Sequence, residues 1–454
     1  MKTQSTSGTS APKRTSRRTF LADSGRVMAA GAVAQMLSPH LYAAENNTIK
    51  VALVGCGGRG TGAVADAFAA SGGPVKLHAM ADVFEDRLKS SHANLTAAYP
   101  DKVDVPADRR FLGFDGYKKA IDALGPQDVV ILATHAAFRP LHFEYAVNRG
   151  VNVFMEKSFA ADSPAARRLL KAAELSEKKN LKVGVGFMWR HSAARQELIK
   201  RIHDGVIGDL HTLRIYRVHG PAHCPPLPKG ANETEFQVRY ATSFTWASSG
   251  FFIDWHCHNV DVACWAKNAW PVSAQAMGGR CYPESGSQFD HFAIEYTFAD
   301  GAKLFSFSRH MTGCWETYSD YAHGSRGSAV IMATLGEPKP KMYKSQNMVP
   351  EEMVWQYGDN DPNPYHAEWQ VLLDAVRKNT PHNESRRAVD ASVAALMGRM
   401  AAHTGRFVTR DQAFNSQFQF VADIDNLTFD TPAPVKAGPD GRYDPPQPGV
   451  TIEI

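Results

Sequence analysis

The chain has 454 residues, of which 44% are hydrophobic and 21% are charged, a composition typical of a folded protein with two or three domains. Its formal net charge is only +4, and residues 1–44 hold six basic side chains against one acidic side chain, so the basic excess belongs to that segment. We therefore predict no nucleic-acid partner. Six cysteines in so long a chain do not form a disulfide scaffold.

The first 45 residues have the order of an export signal. Ser16 to Leu21 reads SRRTFL, a weakly apolar stretch runs from Val27 to Leu37, and Tyr42-Ala43-Ala44 offers small residues to signal peptidase. The apolar stretch is too short and too rich in Ala and Gly for a stable membrane span. We predict a twin-arginine signal peptide over residues 1–45, with the twin-arginine export machinery as a partner and a periplasmic mature protein. A disordered basic tail is the alternative. Because this route carries folded proteins, we expect a tightly bound cofactor.

A glycine-rich turn follows the first apolar run after this segment. Val51 to Val54 leads into GCGGRG, which has the spacing G-x-G-x-x-G. Backbone N–H groups at such a junction of strand and helix bind a pyrophosphate. The predicted cofactor-binding residues of the turn are Gly55, Gly57, Gly58, Arg59 and Gly60.

The second predicted strand ends at Asp82, whose carboxylate is placed to bind ribose hydroxyls. A carboxylate there repels a 2′-phosphate, so we predict NAD as the cofactor. Arg59 and Arg87 are near enough in sequence to keep NADP possible.

Strands and helices alternate from residue 46 to residue 187. The apolar runs before Thr134-His135 and before Glu156-Lys157 have the character of buried parallel strands, and a helical stretch follows each. Open α/β sheets bind ligands at the carboxyl ends of their strands, so these four residues are predicted to contact the cofactor. The pattern predicts a doubly wound Rossmann domain over residues 46–187.

Beyond residue 187 the pattern changes. Leu210–Val218, Ala293–Phe298 and Lys303–Ser308 are richer in aromatic and β-branched residues, which predicts a largely antiparallel open sheet. We assign residues 188–430 to a C-terminal α/β domain for substrate binding and oligomerisation. Residues 431–454 are rich in Pro and Gly and are predicted to form an extended tail.

The stretch Phe252 to Asp261 carries a candidate reaction centre. On a helix, Asp254 and His258 are one turn apart and border an apolar stripe, so we expect them to touch and to form a carboxylate-oriented imidazole for proton transfer. Lys157 is a candidate to hold the substrate hydroxyl and to share its proton. Ordinary ion pairs on the protein surface are the alternative for these residues.

A metal site formed by Asp254, His256 and His258 is a further alternative. Residues two apart on a helix point roughly 200° away from each other, so we predict no metal. Directly after the last strand of the first domain, the chain reads Met188-Trp189-Arg190-His191, which suits a polyhydroxylated ligand, although packing at a hinge explains Met188 and Trp189 equally well. The predicted substrate-binding residues are Trp189, Arg190, His191, Trp255 and His256.

The order of these motifs resembles the Gfo/Idh/MocA family of glucose–fructose oxidoreductase and inositol dehydrogenase, and in particular its exported bacterial members with twin-arginine leaders. The resemblance runs from about Thr48 to about Phe407 and includes Gly324-Ser325-Arg326-Gly327 and Asn363-Pro364-Tyr365. It implies a Rossmann domain joined to an α/β domain whose open sheet often forms the interface of a homo-oligomer. Ser158 departs from the proline of the family's E-K-P motif.

The resemblance also implies an enzyme, an NAD(P)-dependent oxidoreductase that transfers hydride to or from a CH–OH group of a sugar, cyclitol or derivative. Lys157, Asp254 and His258 occupy the family's catalytic positions, and the bulky Trp255 and His256 depart from its pattern. A redox-neutral enzyme on the same scaffold is the alternative, in which retained NAD oxidises a ring carbon, elimination or hydrolysis follows, and the cofactor is restored. A non-catalytic sugar-binding protein is a third hypothesis, and the three intact catalytic positions argue against it.

Overall fold

A computed structural model describes residues 48–70, 72–220, 223–333 and 339–454. The predicted signal peptide at residues 1–45 lies outside these residues. Thr48–Ile454 form one compact unit, so the predicted boundaries at residues 187 and 430 stay predictions. Among the described residues, no helix combines the length and the apolar character that crossing a membrane requires.

The first part of the described chain forms a six-stranded sheet. Its strands are β1 (Ile49–Val54), β2 (Val75–Asp82), β3 (Arg110–Leu112), β4 (Val129–Leu132), β5 (Asn152–Met155) and β6 (Val183–Val185). They lie in the order β3-β2-β1-β4-β5-β6, and every neighbouring pair is parallel. The central strands are buried apolar runs, as a sheet with helices on both faces requires. The predicted doubly wound Rossmann fold is confirmed.

Helices connect these strands. They are α1 (Gly58–Ala69), α2 (Glu85–Ala98), α3 (Gly116–Asp122), α4 (Arg139–Arg149) and α5 (Ser163–Lys178). Local signals set their ends: α4 stops at Gly150, which has φ 75° in the left-handed region, and α5 begins after Asp162, whose carboxylate accepts from the N–H of Ala165.

The second part of the chain forms a nine-stranded sheet. Its strands are β7 (Leu210–His219), β8 (Ser273–Gly279), β9 (His291–Thr297), β10 (Lys303–His310), β11 (Thr317–Gly324), β12 (Gly327–Ala333), β13 (Lys341–Tyr343), β14 (Met353–Gln356) and β15 (Val408–Thr409). The order is β14-β13-β12-β11-β7-β10-β9-β8-β15. The β7–β10 pair is parallel and the other pairs are antiparallel, which confirms the largely antiparallel sheet.

Seven further helices accompany this sheet within the described residues. They are α6 (Ala193–His203), α7 (Glu233–Arg239), α8 (Thr245–Ser248), α9 (Gly250–Lys267), α10 (Pro364–Lys378), α11 (Ser385–Thr404) and α12 (Arg410–Asn415). Helices α9 and α11 pack against each other and cover one face of the sheet. Helix α10 returns to the first sheet, where the ring of Trp369 stacks on Phe154 with centroids 4.4 Å apart.

Residues 431–454 contain no helix or strand, and they pack against the rest of the chain. Tyr443 and Glu453 are buried. Glu453 accepts hydrogen bonds from Arg399 and His403 of α11, so the end of the chain is attached to the core of the second part.

Candidate active site

A cavity of about 720 Å³ opens at the carboxyl ends of β1, β2 and β4, where α/β sheets bind ligands. Residues from α7 and from the segment Ile424–Leu427 form its opposite wall. Of the residues predicted to bind the cofactor, eight line the cavity: Gly55, Gly57, Gly58, Arg59, Gly60, Asp82, Thr134 and His135. Glu156 and Lys157 lie outside it.

The glycines of the turn are explained by two different structural requirements. Gly55 has φ 96°, and a Cβ on Gly60 would lie 2.0 Å from the carbonyl oxygen of Gly55, so both positions need glycine for the turn itself. A Cβ on Gly57 or Gly58 would meet no atom within 4 Å. These two glycines therefore leave open space in front of the N-terminus of α1, where a diphosphate would bind.

Asp82 is fixed at the edge of the turn. One carboxylate oxygen accepts from the N–H of Cys56 at 2.6 Å, and the other accepts from the N–H of Phe84 at 2.8 Å. Burial raises the pKa of this carboxyl above its usual range. Each oxygen keeps capacity for a further hydrogen bond, as a ribose ligand requires.

Arg139, a fully buried side chain on α4, fixes the carboxyl end of β4 through hydrogen bonds to the backbone. Arg139 donates to the carbonyl oxygens of Leu132 and Thr134, and the Thr134 hydroxyl lies 3.1 Å from Nδ1 of His142. Burial lowers the pKa of His135 to about 4, so its imidazole is neutral at pH 7.

Arg59 and Glu156 bind each other. The Nε of Arg59 lies 3.0 Å from a carboxylate oxygen of Glu156, its Nη2 donates to Asp66, and its guanidinium lies 4.8 Å from the ring centroid of Tyr365. The positive charge of Arg59 is therefore balanced inside the protein. Arg59 lines the cavity, while its guanidinium contacts Asp66 of α1 and Glu156 at the tip of β5.

Lys157 follows the tip of β5 and reaches the start of α9. Its Nζ donates to the backbone carbonyl oxygen of Asp254 and lies 3.4 Å from the Asp254 carboxylate, and both side chains are less than one-fifth exposed. Burial lowers the pKa of Lys157, but Asp254 and the other neighbouring acidic groups outweigh burial and raise the pKa above its ordinary value. The ammonium is therefore charged at neutral pH.

His258 lies one turn further along α9, with its ring at 5.8 Å from the ring of Phe187. The expected contact between Asp254 and His258 is absent from the hydrogen bonds and ion pairs of the described residues: Asp254 pairs with Lys157, and Nδ1 of His258 is buried without a partner. Burial, and then the charge of Lys157, hold the pKa of His258 well below its usual range. A neutral imidazole competes poorly with an ammonium for the same carboxylate, which explains this pairing.

The three predicted substrate residues after β6 are attached to the second part of the chain. Trp189 donates from Nε1 to the hydroxyl of Tyr318 at 2.6 Å, and Arg190 forms two 2.8 Å hydrogen bonds with the Asp261 carboxylate. Nε2 of His191 lies 3.5 Å from the carboxylate of Glu384. Their side chains act here as links between elements, and a role in substrate binding stays a prediction.

Trp255 and His256 lie on different sides of α9. His256 is fully buried, and its Nε2 lies 2.9 Å from the hydroxyl of Ser306 on β10, so it belongs to the packing between α9 and the sheet. The ring of Trp255 lies 6.0 Å from Nζ of Lys157 and borders the reaction centre. His256 and His258 therefore do not converge on one ion.

Two features near this site were not predicted from the sequence. Arg217 on β7 places its guanidinium 5.4 Å from the ring of Trp255, and residues of α7, including Arg239, line the cavity. The alternation of side chains along β7 could have identified Arg217, because Arg217 shares a face of the strand with the buried Leu213 and Ile215. No local pattern connected α7 with the glycine turn.

Elsewhere in the described residues, Cys281, Asp290 and His291 bring three possible metal-ligand atoms within 4.8 Å of one another. Both carboxylate oxygens of Asp290 already have partners: the N–H groups of Cys281 and Tyr282 on one, and His291 on the other. We assign no metal there.

Comparison with known proteins gives three kinds of similarity. Residues 195–330 match the family model of the GFO/IDH/MocA C-terminal domain. A curated relative, inositol 2-dehydrogenase 4 of Saccharopolyspora erythraea, is 31% identical over 125 residues, and this alignment spans 26% of the chain and 36% of the relative.

Two solved structures have a similar fold over most of the chain. A crystal structure of aldose–aldose oxidoreductase from Caulobacter crescentus complexed with glycerol gives a TM-score of 0.61 at 17% identity, covering 80% of this chain and 99% of that one. Scyllo-inositol dehydrogenase from Lactobacillus casei with bound NAD(H) and scyllo-inositol gives 0.58 at 22% identity, with coverages of 80% and 99%. Residues 195–330 are therefore similar to a GFO/IDH/MocA C-terminal domain, in a chain that has the overall fold of these two enzymes.

Proposed function

We propose that the whole chain is a Gfo/Idh/MocA family enzyme, an NAD(P)-dependent oxidoreductase that acts on a CH–OH group of a sugar, cyclitol or derivative. One observation carries the proposal. The cavity joins a glycine turn and Asp82, which suit a dinucleotide, to His135, whose pKa responds to the charges of Asp254 on α9 and of Lys157 after the neighbouring strand tip. The solved relative with NAD(H) and scyllo-inositol supports the same combination of cofactor and substrate class.

The residues fit a dinucleotide in their donor chemistry. The open space at Gly57 and Gly58 suits the diphosphate, and the Asp82 carboxylate suits the ribose hydroxyls. Arg59 is neutralised by Glu156 and Asp66 and so is a poor partner for a 2′-phosphate, which favours NAD over NADP. When bound, the nicotinamide accepts or supplies the hydride.

Side chains outside the cavity bind the reacting oxygen of the substrate and transfer its proton. The Lys157 ammonium donates a hydrogen bond to the reacting oxygen, and the Asp254 carboxylate keeps that ammonium charged and in place. The neutral imidazole of His258 accepts the hydroxyl proton during oxidation and returns it during reduction.

A Lys157→Met variant tests this assignment. We expect kcat to fall roughly 10²- to 10⁴-fold, as for the loss of a group that handles the proton, while the nucleotide content of the purified protein stays unchanged. Lys171→Met, at an exposed position on α5, is the matched control. Full turnover by the Lys157 variant on a substrate that the wild type oxidises would refute the role of Lys157.

A redox-neutral enzyme with a retained cofactor is the second candidate function. Contacts between the cavity's two walls favour retention: Arg87 donates to the carbonyl oxygen of Arg239 at 2.9 Å, the Arg239 guanidinium lies 3.0 Å from the carboxylate of Asp86, and the rings of Phe84 and Phe429 stack at 5.7 Å. Denaturing the purified protein and identifying the released nucleotide tests retention. Product formation without a net change in the nicotinamide absorbance would select this second function.

We also propose the cellular setting that the leader predicts, namely twin-arginine export to the periplasm. Replacing Arg17 and Arg18 together by lysine should leave the precursor in the cytoplasm, as shown by cell fractionation. A homo-oligomer through the open sheet is a further proposal. Its support is the exposed apolar surface on and beside that sheet, where Met277 and Trp315 are 78% and 64% exposed, and sedimentation of the purified protein tests it.

A further inference from the structure

We propose that Arg217 binds an anionic group of the substrate, and that the substrate is therefore a sugar or cyclitol that carries a carboxylate. This inference rests on the proposed function, because it assigns the substrate class of the same site. Arg217 lies near the end of β7 on the face that packs against α9. It thus faces the helix that carries Asp254 and His258.

Aromatic rings hold the Arg217 guanidinium. Its central carbon lies 3.8 Å from the ring centroid of Tyr318 and 5.4 Å from that of Trp255. A guanidinium that contacts rings in this way through its faces offers its N–H edges to a further partner. No hydrogen bond or ion pair of Arg217 occurs among the described residues, and its Nε is buried without a partner.

This lack of a partner distinguishes Arg217, which is half-buried, from four other buried or half-buried arginines of the described chain. Those side chains all donate to an oxygen atom of the protein, since a buried cation without an acceptor is costly. The pairs are Arg139 with Leu132 and Thr134, Arg190 with Asp261, Arg195 with Ser192, and Arg399 with Glu453. The missing acceptor of Arg217 is the group that a ligand would supply.

The charges around Arg217 also favour an anion. Asp254 is already paired with Lys157, and Asp320 accepts a hydrogen bond from Asn259, with burial raising its pKa to about 7. Glu316 influences His219 at the end of the strand but forms no ion pair with Arg217 in the part of the chain that the structure describes. Asp320 interacts with Arg217 through its charge, but no carboxylate of the described residues forms an ion pair with the Arg217 guanidinium.

Further unpartnered donors lie beside the same indole ring. His310 is 2% exposed and neither of its ring nitrogens has a partner, and Nε2 of His219 and Nε1 of Trp255 are also buried without partners in the described chain. The rings of His219 and His310 lie 4.7 and 5.7 Å from the ring of Trp255. This cluster supplies polar groups for the hydroxyls that flank an acidic substituent.

The position of Arg217 relative to Lys157 matches a single small substrate. Both cationic groups lie within 6.0 Å of the ring centroid of Trp255, Lys157 at 6.0 Å and Arg217 at 5.4 Å. A pyranose or cyclitol ring lying along the indole would present its reacting hydroxyl to Lys157 and its acidic substituent to Arg217. A carboxylate fits the planar guanidinium because both of its oxygens can accept parallel N–H bonds.

The experiment compares acidic and neutral sugars on the holoenzyme. D-glucuronate is measured against D-glucose, and D-galacturonate against D-galactose, with glucose 6-phosphate added to separate a carboxylate from a phosphate. We expect wild-type kcat/KM to be at least tenfold higher for a uronate than for its parent hexose. Arg217→Gln should lower kcat/KM for the uronate roughly 10- to 100-fold, mainly through KM, with less than a threefold change for the hexose.

Two further variants sharpen the result. Arg217→Lys keeps the positive charge but lacks the planar guanidinium that forms two parallel hydrogen bonds. We expect this variant to recover part of the preference for a uronate over its hexose. Arg214→Gln is the matched control, because Arg214 lies on the same strand, contacts His323 and Tyr321, and faces away from α9. Its kinetics should equal those of the wild type.

Several outcomes would overturn the inference. These are equal losses for uronate and hexose in Arg217→Gln, a wild type that prefers neutral sugars, or a wild type that prefers the phosphate ester. Should the glutamine variant fail to fold, the wild-type melting temperature decides: a uronate must stabilise the protein more than its hexose does. Turnover of neutral sugars alone would refute the inference but leave the proposed function intact, whereas a protein that binds no nucleotide would refute the proposed function.

Discussion

Replacing Glu453 by Gln is expected to lower the free energy of unfolding by about 3 kcal/mol at pH 7. Glu453 is 1% exposed, and one carboxylate oxygen accepts from Nη2 of Arg399 at 3.0 Å while the other accepts from Nδ1 of His403 at 2.7 Å. Arg399 is fully buried, so the substitution leaves its charge without a counterion. Its donation to the carbonyl oxygen of Ala161 remains and places the cost at the lower end of the 3–5 kcal/mol range for broken buried pairs.

The pKa of Glu453 gives the same magnitude. Burial alone would raise this pKa, but Arg399 and His403 outweigh burial and lower it from 4.5 to about 2. A carboxyl whose pKa is lower in the folded state stabilises the protein above its unfolded pKa and loses that contribution as the pH falls through the folded pKa. The wild type should therefore lose about 3 kcal/mol between roughly pH 5 and pH 2, and the variant should lack this part of the pH dependence.

Thermal and urea unfolding of the two proteins measure the effect. With an unfolding entropy of about 2.1 cal/mol/K per residue, 3 kcal/mol corresponds to a fall in Tm of roughly 3–4 °C for a chain of this size. Glu351→Gln is the matched control, because Glu351 is exposed. A Glu453→Gln protein that unfolds at the same temperature and urea concentration as this control would refute the reasoning.

Two further predictions concern the turn and the reaction centre. Gly60→Ala should destabilise the protein by about 2–3 kcal/mol because its Cβ would lie against the Gly55 carbonyl oxygen, whereas Gly58→Ala should keep or slightly raise stability and weaken nucleotide binding, as urea unfolding and nucleotide titration can measure. Equal stability of these two variants would contradict the steric assignment. Burial and the charge of Lys157 hold the pKa of His258 well below 6.5, so kcat/KM should stay constant below pH 6.5. A decrease in kcat/KM near pH 6.5 that disappears in His258→Asn would contradict this prediction.

Local sequence pattern was sufficient for the fold class. The buried apolar runs of β1, β4 and β5 predicted a parallel sheet, and the aromatic, alternating segments after residue 187 predicted an antiparallel one. These predictions succeed because period and burial are properties of the strand itself. The return of α10 to the first sheet could not be predicted, since an amphipathic helix shows that it has an apolar face but not which surface covers it.

The residues of the candidate site likewise divide into those that could be predicted from local sequence and those that could not. The turn, Asp82 and the strand ends before His135 and Lys157 were predicted from motifs whose spacing lies within one βα unit, and the cavity brings most of them together. The partner of Asp254 was not predicted, because the i,i+4 rule considers only the helix that carries it. Lys157 arrives from a strand 97 residues earlier and carries a full charge, so it displaces the neutral His258 from that carboxylate.

By itself, the sequence determined the two sheets, the glycine turn and the identity of the residues at the strand ends, because each depends on neighbours a few positions away along the chain. Only the tertiary structure decided which charges meet: Arg59 with Glu156, Arg190 with Asp261, and Arg399 with Glu453 at the chain's end. Ion pairs between distant segments leave no periodic trace in the sequence, and burial decides which of them must be satisfied. Arg217 is half-buried, and its buried Nε has no acceptor among the described residues.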